Sequence, residues 1–326
     1  MSSPMLWSSD KLPARLARIA LTPASWVYAA GWQIYLRAHQ LGVLPTYRYP
    51  GPVFCVGNLT VGGSGKTPVT IYIAQVLTGL GRQAVISCNG YGSPAFRLAR
   101  MAPEGPLNPL EWGDEPAMIR DILPGVPLVV GKQRAKTARL CAERYPYAVL
   151  LLDDGFQHLK LHISTSIILD DRKHKAVNRR CLPAGPMREP GGNAKRADLR
   201  LPGHFRVEYS HQRFEKPDGA PVKVGAAHLL CAVGSPDRLV AKLKQAHVRL
   251  ISQRILPDHA SLQEGNLFGS SDPDEPVIVT AKDWVKLRLR PDIAQRNVVI
   301  VRREARIEPE EEFRSWIEQR LNEFTP

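Results

Sequence analysis

The stretch VGGSGKT, residues 61–67, gathers the residue types that hold a nucleotide's phosphates. Gly62, Gly63 and Gly65 free the backbone to turn its N–H groups onto phosphate oxygens. Lys66 is spaced to bridge the β- and γ-phosphates and the Thr67 hydroxyl to ligate Mg2+, with Val61 and Ser64 completing the loop. Where such a loop normally begins with glycine, this chain has Thr60, so the backbone must arrive in a conformation that a β-branched residue accepts. The plain alternative is a glycine-rich turn with an incidental lysine; GKT between a strand and a helix argues against it.

A loop of this type also wants a carboxylate at the end of a neighbouring strand, on the metal side. YAVLLLDDGFQH (147–158) supplies Asp153 and Asp154 directly after an apolar run, followed by the polar pair Gln157 and His158. Asp154 is equally readable as a turn residue before Gly155. A GTPase would show D-x-x-G and N/T-K-x-D, but the glycine after Asp153 comes one residue early and TAKD (280–283) has Asp283 directly after Lys282. The basic run Arg172, Lys173, Lys175, Arg179 and Arg180 contains no aromatic residue, so it suits a small phosphorylated molecule, lipid headgroups or plain solvent better than single-stranded nucleic acid.

The elements that must position these groups read as alternating strands and helices. PVFCV (52–56), AVIS (84–87), VPLVV (126–130), YAVLLL (147–152) and SIIL (166–169) are short apolar runs of the kind buried in parallel sheets. Between the first two, Val69, Ile73, Val76, Leu77 and Leu80 recur at helical spacing, with Pro68 in the first turn and Gly79 and Gly81 at the end. A βαβ unit follows. Residues 201–223, rich in Pro, Gly and charge, read as an unpatterned junction. After it come HLLCAV (228–233), a helix through Leu239 and Leu243, VRLISQRIL (248–256), PVIVT (276–280), NVVIV (297–301) and a last helix with Phe313, Trp316, Ile317, Leu321 and Phe324 on one face. The expected class is α/β, with two α/β/α parallel-sheet domains: a region 1–40, a phosphate-loop core 41–203, a linker 204–223 and a smaller unit 224–326.

With 326 residues, 44% hydrophobic and 23% charged, the chain is an ordinary folded protein. Its five cysteines are odd in number and scattered, which suggests neither a disulfide framework nor a thiolate zinc site. A net charge of +13 predicts an anionic partner without choosing among nucleic acid, membrane and phosphorylated substrate. From Ile19 to Leu36 nothing is charged, and Trp26, Tyr28, Trp32 and Tyr35 lie between flanking arginines. Thr22 and Pro23 look like a helix start, leaving about 21 Å of helix to Leu36, too short to span a bilayer. A helix lying in the membrane interface is expected, with a Trp-rich core helix as the alternative. A signal peptide is disfavoured, because the stretch lacks a Leu-rich core.

SWVYAAGWQIYLRAHQLG (25–42), VGNLTVGGSGKTP (56–68), GDEP (113–116), LDDGFQH (152–158), LPAGPMREP (182–190), KRAD (195–198), PDH (257–259) and AKDWVKL (281–287) together resemble the tetraacyldisaccharide 4'-kinase family, the lipid A kinases of Gram-negative bacteria, over nearly the whole chain. The resemblance implies transfer of the γ-phosphate of Mg-ATP to the 4'-hydroxyl of an acylated glucosamine disaccharide 1-phosphate, at the cytoplasmic face of the inner membrane, by two α/β/α domains with the site between them. Thr60 then reads as a family feature. The resemblance also makes Asp114 and His259 a catalytic pair, the carboxylate taking the hydroxyl's proton and the imidazole tuning it. Asp153 and Asp154 become metal-side carboxylates, Asp153 foremost, with Glu115 as a further metal candidate, and Asn58, Gln157, His158 and Arg188 become substrate contacts. Without it, Asp114 is a loop acid, His259 a residue at a helix start, and Arg188 a structural partner of Glu189 or Asp198. It implies peripheral membrane association and neither a nucleic-acid nor an obligate protein partner. The chain departs from the family at Asn89, where an arginine is usual, at Ala281 in place of an acid, and at Leu159, His162 and Ser164 after FQH. These departures bear on rate and substrate detail. On the residues alone, a nucleotide-gated switch or chaperone, or a kinase acting poorly on a modified glycolipid, stays open.

Overall fold

The computed structural model describes residues 6–7, 9–170, 178–258, 260–269 and 271–324. The chain opens with a long helix, α1 (Leu12–Gln40), and then alternates strands and helices: β1 (Val53–Gly57), α2 (Lys66–Gly79), β2 (Ala84–Cys88), β3 (Arg100–Met101), α3 (Pro109–Trp112), α4 (Asp114–Ile122), β4 (Leu128–Val130), α5 (Arg134–Arg144), β5 (Val149–Asp153), β6 (Thr165–Leu169) and β7 (Leu199–Leu201). A second series follows: β8 (Arg206–Glu215), β9 (Ala226–Cys231), α6 (Pro236–Gln245), β10 (Arg249–Ile255), β11 (Val277–Thr280), α7 (Ala281–Leu287), β12 (Val298–Glu308) and α8 (Glu310–Asn322).

The strands form two sheets, β3-β4-β2-β5-β1-β6-β7 and β10-β9-β11-β12-β8, each parallel except for one antiparallel edge strand. All five residues of β1, β2, β5 and β6 are buried, as apolar runs without alternation require when both faces are covered. One face of the first sheet, through Phe54, Val56 and Leu151, packs on Ile73 and Leu77 of α2; the other, through Cys55, Leu150 and Leu152, packs on Ala138 and Cys141 of α5. The second sheet is covered likewise, Val279 and Ile300 facing Leu287 of α7 while Ile278 and Val301 face Leu239 and Leu243 of α6. The α/β/α reading therefore holds for both sheets.

Three sequence readings change. Residues 206–215, taken as part of a junction, form the ten-residue strand β8, whose backbone pairs antiparallel with β12. Its polar composition hid it, since an edge strand needs inward residues at only one face, here Val207 and Tyr209. The last helix does not complete the second unit's core: Phe313, Ile317 and Leu321 join the core over α2, with the Phe313 ring 6.0 Å from that of Tyr72.

The first helix starts eleven residues before Pro23, with Pro13 in its first turn. Pro13 carries the start signal that the sequence reading gave to Pro23, which lies inside the helix. Beside it the Thr22 hydroxyl donates to the Arg18 carbonyl at 2.8 Å. At 29 residues the helix is about 44 Å long. Among the described residues, no helix is long and apolar enough to cross a membrane.

Candidate active site

Val56 of β1 pairs with Asp153 of β5, so the strand that launches the glycine loop ends beside the strand that carries the carboxylates. This is the carboxyl edge of a parallel sheet, where loops diverge and ligands bind. Thr60 makes an antiparallel bridge with Met187; Val61 N–H donates to the Pro186 carbonyl and Arg188 N–H to the Leu59 carbonyl, at 2.9 and 2.8 Å. The loop thus begins as a short strand against residues 186–188, a setting that suits a β-branched side chain and explains the threonine. The turns come later, at Gly62 and Gly65, whose φ of 113° and 83° only glycine adopts readily.

Lys66 is buried at the start of α2. Its ammonium donates to Asn58 Oδ1 at 3.2 Å and Ser64 Oγ at 3.4 Å and lies 3.5 Å from Asp154 Oδ2. Asn58, expected at the substrate, is fully buried and spans the loop, its amide N–H2 reaching Ser64 Oγ at 3.0 Å. Thr67 and Thr70 donate to Asp153 Oδ2 and Oδ1 at 3.0 and 3.1 Å. The two adjacent aspartates sit in opposite electrostatic settings. Burial and the charge of Asp154 push the Asp153 carboxyl above its ordinary range, against Lys66, Thr67 and Arg134. Burial also pushes Asp154 up, but Lys66 and Arg188 outweigh it and hold its carboxyl low.

A buried, under-compensated carboxylate beside a hydroxyl is a hard-oxygen donor set that fits Mg2+, which takes most of its ligands from phosphates and water. No group of three or more His, Cys, Asp or Glu among the described residues could hold a metal, so any cation here would lean on the nucleotide for ligands.

Arg188 donates to Asp154 Oδ1 at 2.8 Å and to Gln157 Oε1 at 3.4 Å. Gln157 in turn donates to the Asn58 carbonyl and to Glu189 Oε1, both at 2.9 Å. The ion pairs considered for Arg188 go elsewhere: Glu189 pairs with Arg196 and Asp198 with Arg320, both at 2.7 Å. Burial and Arg134 push the His158 imidazole down to about 4, so it is neutral near pH 7. Arg134 was not legible beforehand. It is 1% exposed at the start of α5 and donates to the backbone carbonyl of Asp153 and to Ser87 Oγ, fixing the carboxylate strand from behind.

Asp114 opens α4, buried, with Oδ1 accepting the Glu115 N–H at 2.9 Å. Two ammonium groups from α7 flank it, Lys286 at 3.6 Å and Lys282 at 3.8 Å from Oδ2. Lys286 was not singled out from sequence and Lys282 was weighed only against a guanine-reading pattern, although both lie in AKDWVKL. Lys286 also donates to the Ala260 carbonyl at 2.8 Å, and Lys282 to Asp258 Oδ1 at 3.2 Å. The expected partner of Asp114, His259, lies outside the described residues. The glycine loop, Asp153, Asp154, Glu115, Arg188 and Lys282 line one cleft of about 1290 Å³ between the two sheets.

Helix α1 packs behind residues 181–193. Ser25, Tyr28, Trp32 and Gln33 hydrogen-bond the Cys181 carbonyl, the Arg188 carbonyl, Glu189 and Asn193 at 2.7, 2.6, 3.0 and 3.0 Å. Its opposite side exposes Leu12, Leu16, Ile19, Trp26, Val27 and Ile34. The polar stripe faces the protein and the apolar stripe faces outward, the reverse of a core helix.

Residues 17–322 match the family described as Tetraacyldisaccharide-1-P 4'-kinase. The chain is 34% identical to a tetraacyldisaccharide 4'-kinase of Halorhodospira halophila, covering 88% of each, and 32% identical to one of Shewanella woodyi, covering 90% of this chain and 87% of the relative. It also resembles a crystal structure of the "apo" form of LpxK from Aquifex aeolicus in complex with ATP, with a TM-score of 0.80 and 27% identity over 94% of this chain and 99% of that one.

Proposed function

The chain belongs to the tetraacyldisaccharide-1-P 4'-kinase family, and from that membership we infer its reaction. It is an ATP-dependent tetraacyldisaccharide 4'-kinase of lipid A biosynthesis, a phosphotransferase with an alcohol acceptor. We propose that the γ-phosphate passes to the 4'-hydroxyl of tetraacyldisaccharide 1-phosphate, giving the 1,4'-bisphosphate. The observation that carries this reading is one cleft holding a phosphate loop and two strand-end aspartates, with a buried aspartate, Asp114, held between two lysines beside it.

In this reading residues 60–67 cradle the triphosphate, and Lys66 leaves Asp154 and Asn58 to meet the β- and γ-phosphates. Thr67 and Asp153 would hold Mg2+, with Glu115 in the same cleft; the ion supplies charge neutralisation of the phosphates. Asp114 accepts the sugar hydroxyl's proton. Lys282 and Lys286 hold its carboxylate in place, a task in which position counts for more than basicity. Arg188, Gln157 and His158 face the glycolipid side, His158 as a neutral hydrogen-bonding group. His259 is kept in this proposal as the group that tunes the proton transfer.

The outward apolar stripe of α1 would lie in the headgroup region of the membrane's cytoplasmic face, so that the glycolipid reaches the cleft without leaving the bilayer. The domain division is kept as part of the proposal, with β8 given to the second unit and α8 packed back on the first. The test is transfer of labelled γ-phosphate from Mg-ATP to the glycolipid in detergent micelles. Lys66→Ala and Asp114→Ala should both abolish it; ATP hydrolysis without lipid labelling would overturn the reading.

A further inference from the structure

The second sheet reaches over the phosphate loop with two side chains. Tyr209 of β8 shares its hydroxyl between the Ser64 and Gly65 carbonyls, each at 3.3 Å. Arg303 of β12 stacks on the same ring, its Cζ 4.1 Å from the ring centroid. The ladder between these strands slips where Arg303 sits: Arg302 pairs with Arg213 and Glu304 with Ser210. Such irregularities re-aim a side chain. Both groups press against Gly65, where a Cβ would fall 2.5 Å from Tyr209 Oη and 2.8 Å from Arg303 Nη2. Glycine there serves the left-handed turn and also admits the two side chains.

Arg303 differs from its neighbours in having no carboxylate. Arg302 pairs with Glu215 at 2.5 Å and Arg213 with Glu304 at 3.1 Å. Among the described residues nothing acidic pairs with Arg303: its Nε is buried without a hydrogen-bond partner, and the other cation near it, Arg238, repels it. Burial and that repulsion push its guanidinium below its ordinary pKa, although at neutral pH it stays charged. Holding a half-buried guanidinium against a ring, beside another cation and without an anion, costs stability unless a ligand supplies the anion. Arg303, Arg238 and Lys242 line the same cleft as Lys66. A planar fork of N–H donors next to a phosphate loop matches phosphate oxygens.

We propose that Arg303, held in place by Tyr209, is a phosphate-binding residue contributed by the second sheet, and that its ligand is a phosphoryl group brought into the cleft. Contact with Gly65 favours the nucleotide's phosphate chain over the glycolipid's 1-phosphate, and the inference rests on the kinase reading above.

The test uses Arg303→Met, which keeps the stem on the Tyr209 ring and removes the charge, and Arg303→Lys, which restores it. Binding of ADP and of a non-hydrolysable ATP analogue is measured by calorimetry without lipid. The expected result is roughly tenfold weaker binding in the Met variant, the loss of one charged hydrogen bond, with partial recovery in the Lys variant and a nucleotide-free melting temperature of the Met variant no lower than that of the wild type. In a second arm, KM is measured for glycolipid with and without its 1-phosphate. Normal nucleotide binding with a KM raised only for the 1-phosphorylated form would assign the phosphate to the glycolipid. Nucleotide affinity and both KM values at wild-type levels in Arg303→Met overturn the proposal. A wild-type protein that binds no nucleotide overturns the kinase reading instead.

Discussion

The indole N–H of Trp32 on α1 donates to Glu189 Oε2 at 3.0 Å, joining the first helix to a carboxylate that is 0% exposed. Gln157, Asn193 and Arg196 donate to the same carboxylate, and Gln157 also holds the Asn58 carbonyl at the foot of the phosphate loop. The helix proposed to meet the membrane is therefore two hydrogen bonds away from Gln157, through one shared carboxylate. Trp32→Phe keeps a ring and removes the donor. It should lower stability by about 1.5–3 kcal/mol, the worth of a hydrogen bond to a charged group, read as a shifted urea midpoint, and raise KM for glycolipid more than KM for ATP.

Lys286 bridges Asp114 and the Ala260 carbonyl, and its side chain is 6% exposed against 16% for Lys282. Removing one partner of a buried pair leaves the other charge stranded. Lys286→Met should cost about 3 kcal/mol or more of stability, and Lys282→Met less. Urea unfolding of both variants checks the order; equal losses would contradict it.

Burial and Arg134 push His158 down to about 4, from 6.5 in the unfolded chain. A depressed imidazole pKa means that the unfolded state binds the proton first. The stability tied to keeping His158 neutral is thus fully present above pH 6.5 and is lost as pH falls from there toward 4. His158→Gln should flatten the decline in urea midpoint over that window, and an unchanged slope would show that other groups cause it.

Trp26 and Val27 are 69% and 74% exposed on the outer stripe of α1. Replacing both with Glu should change stability by no more than about 0.5 kcal/mol per site, the range for surface positions. The same double variant should lose most of its sedimentation with anionic vesicles. Vesicle binding at the wild-type level would remove the interfacial role from this face.

Sequence patterns made much of this visible, for identifiable reasons. The loop from Gly62 to Thr67 is spelled by glycines that need positive φ and by side chains with one chemical use, and the buried strands are continuous apolar runs. Thr60 made sense only once its bridge to Met187 was seen, because the pairing joins segments 127 residues apart. The same long range hid Arg134 behind Asp153 and Trp32 beside Glu189: neither pair has a spacing signal. Strand β8 was missed because half of its described residues face solvent, and the start of α1 because Pro23, which lies inside the helix, carries the same local signal as the first-turn Pro13. Asp114 had no local mark; its importance lies in the two lysines that α7 brings to it from 168 and 172 residues further along the chain.

The most direct test of the kinase assignment is phosphorus NMR of the glycolipid after incubation with the protein and Mg-ATP. The account predicts a new phosphomonoester signal from the 4' position beside the retained 1-phosphate signal, absent with Lys66→Ala. A product phosphorylated at another hydroxyl, or inorganic phosphate with the glycolipid unchanged, would contradict it.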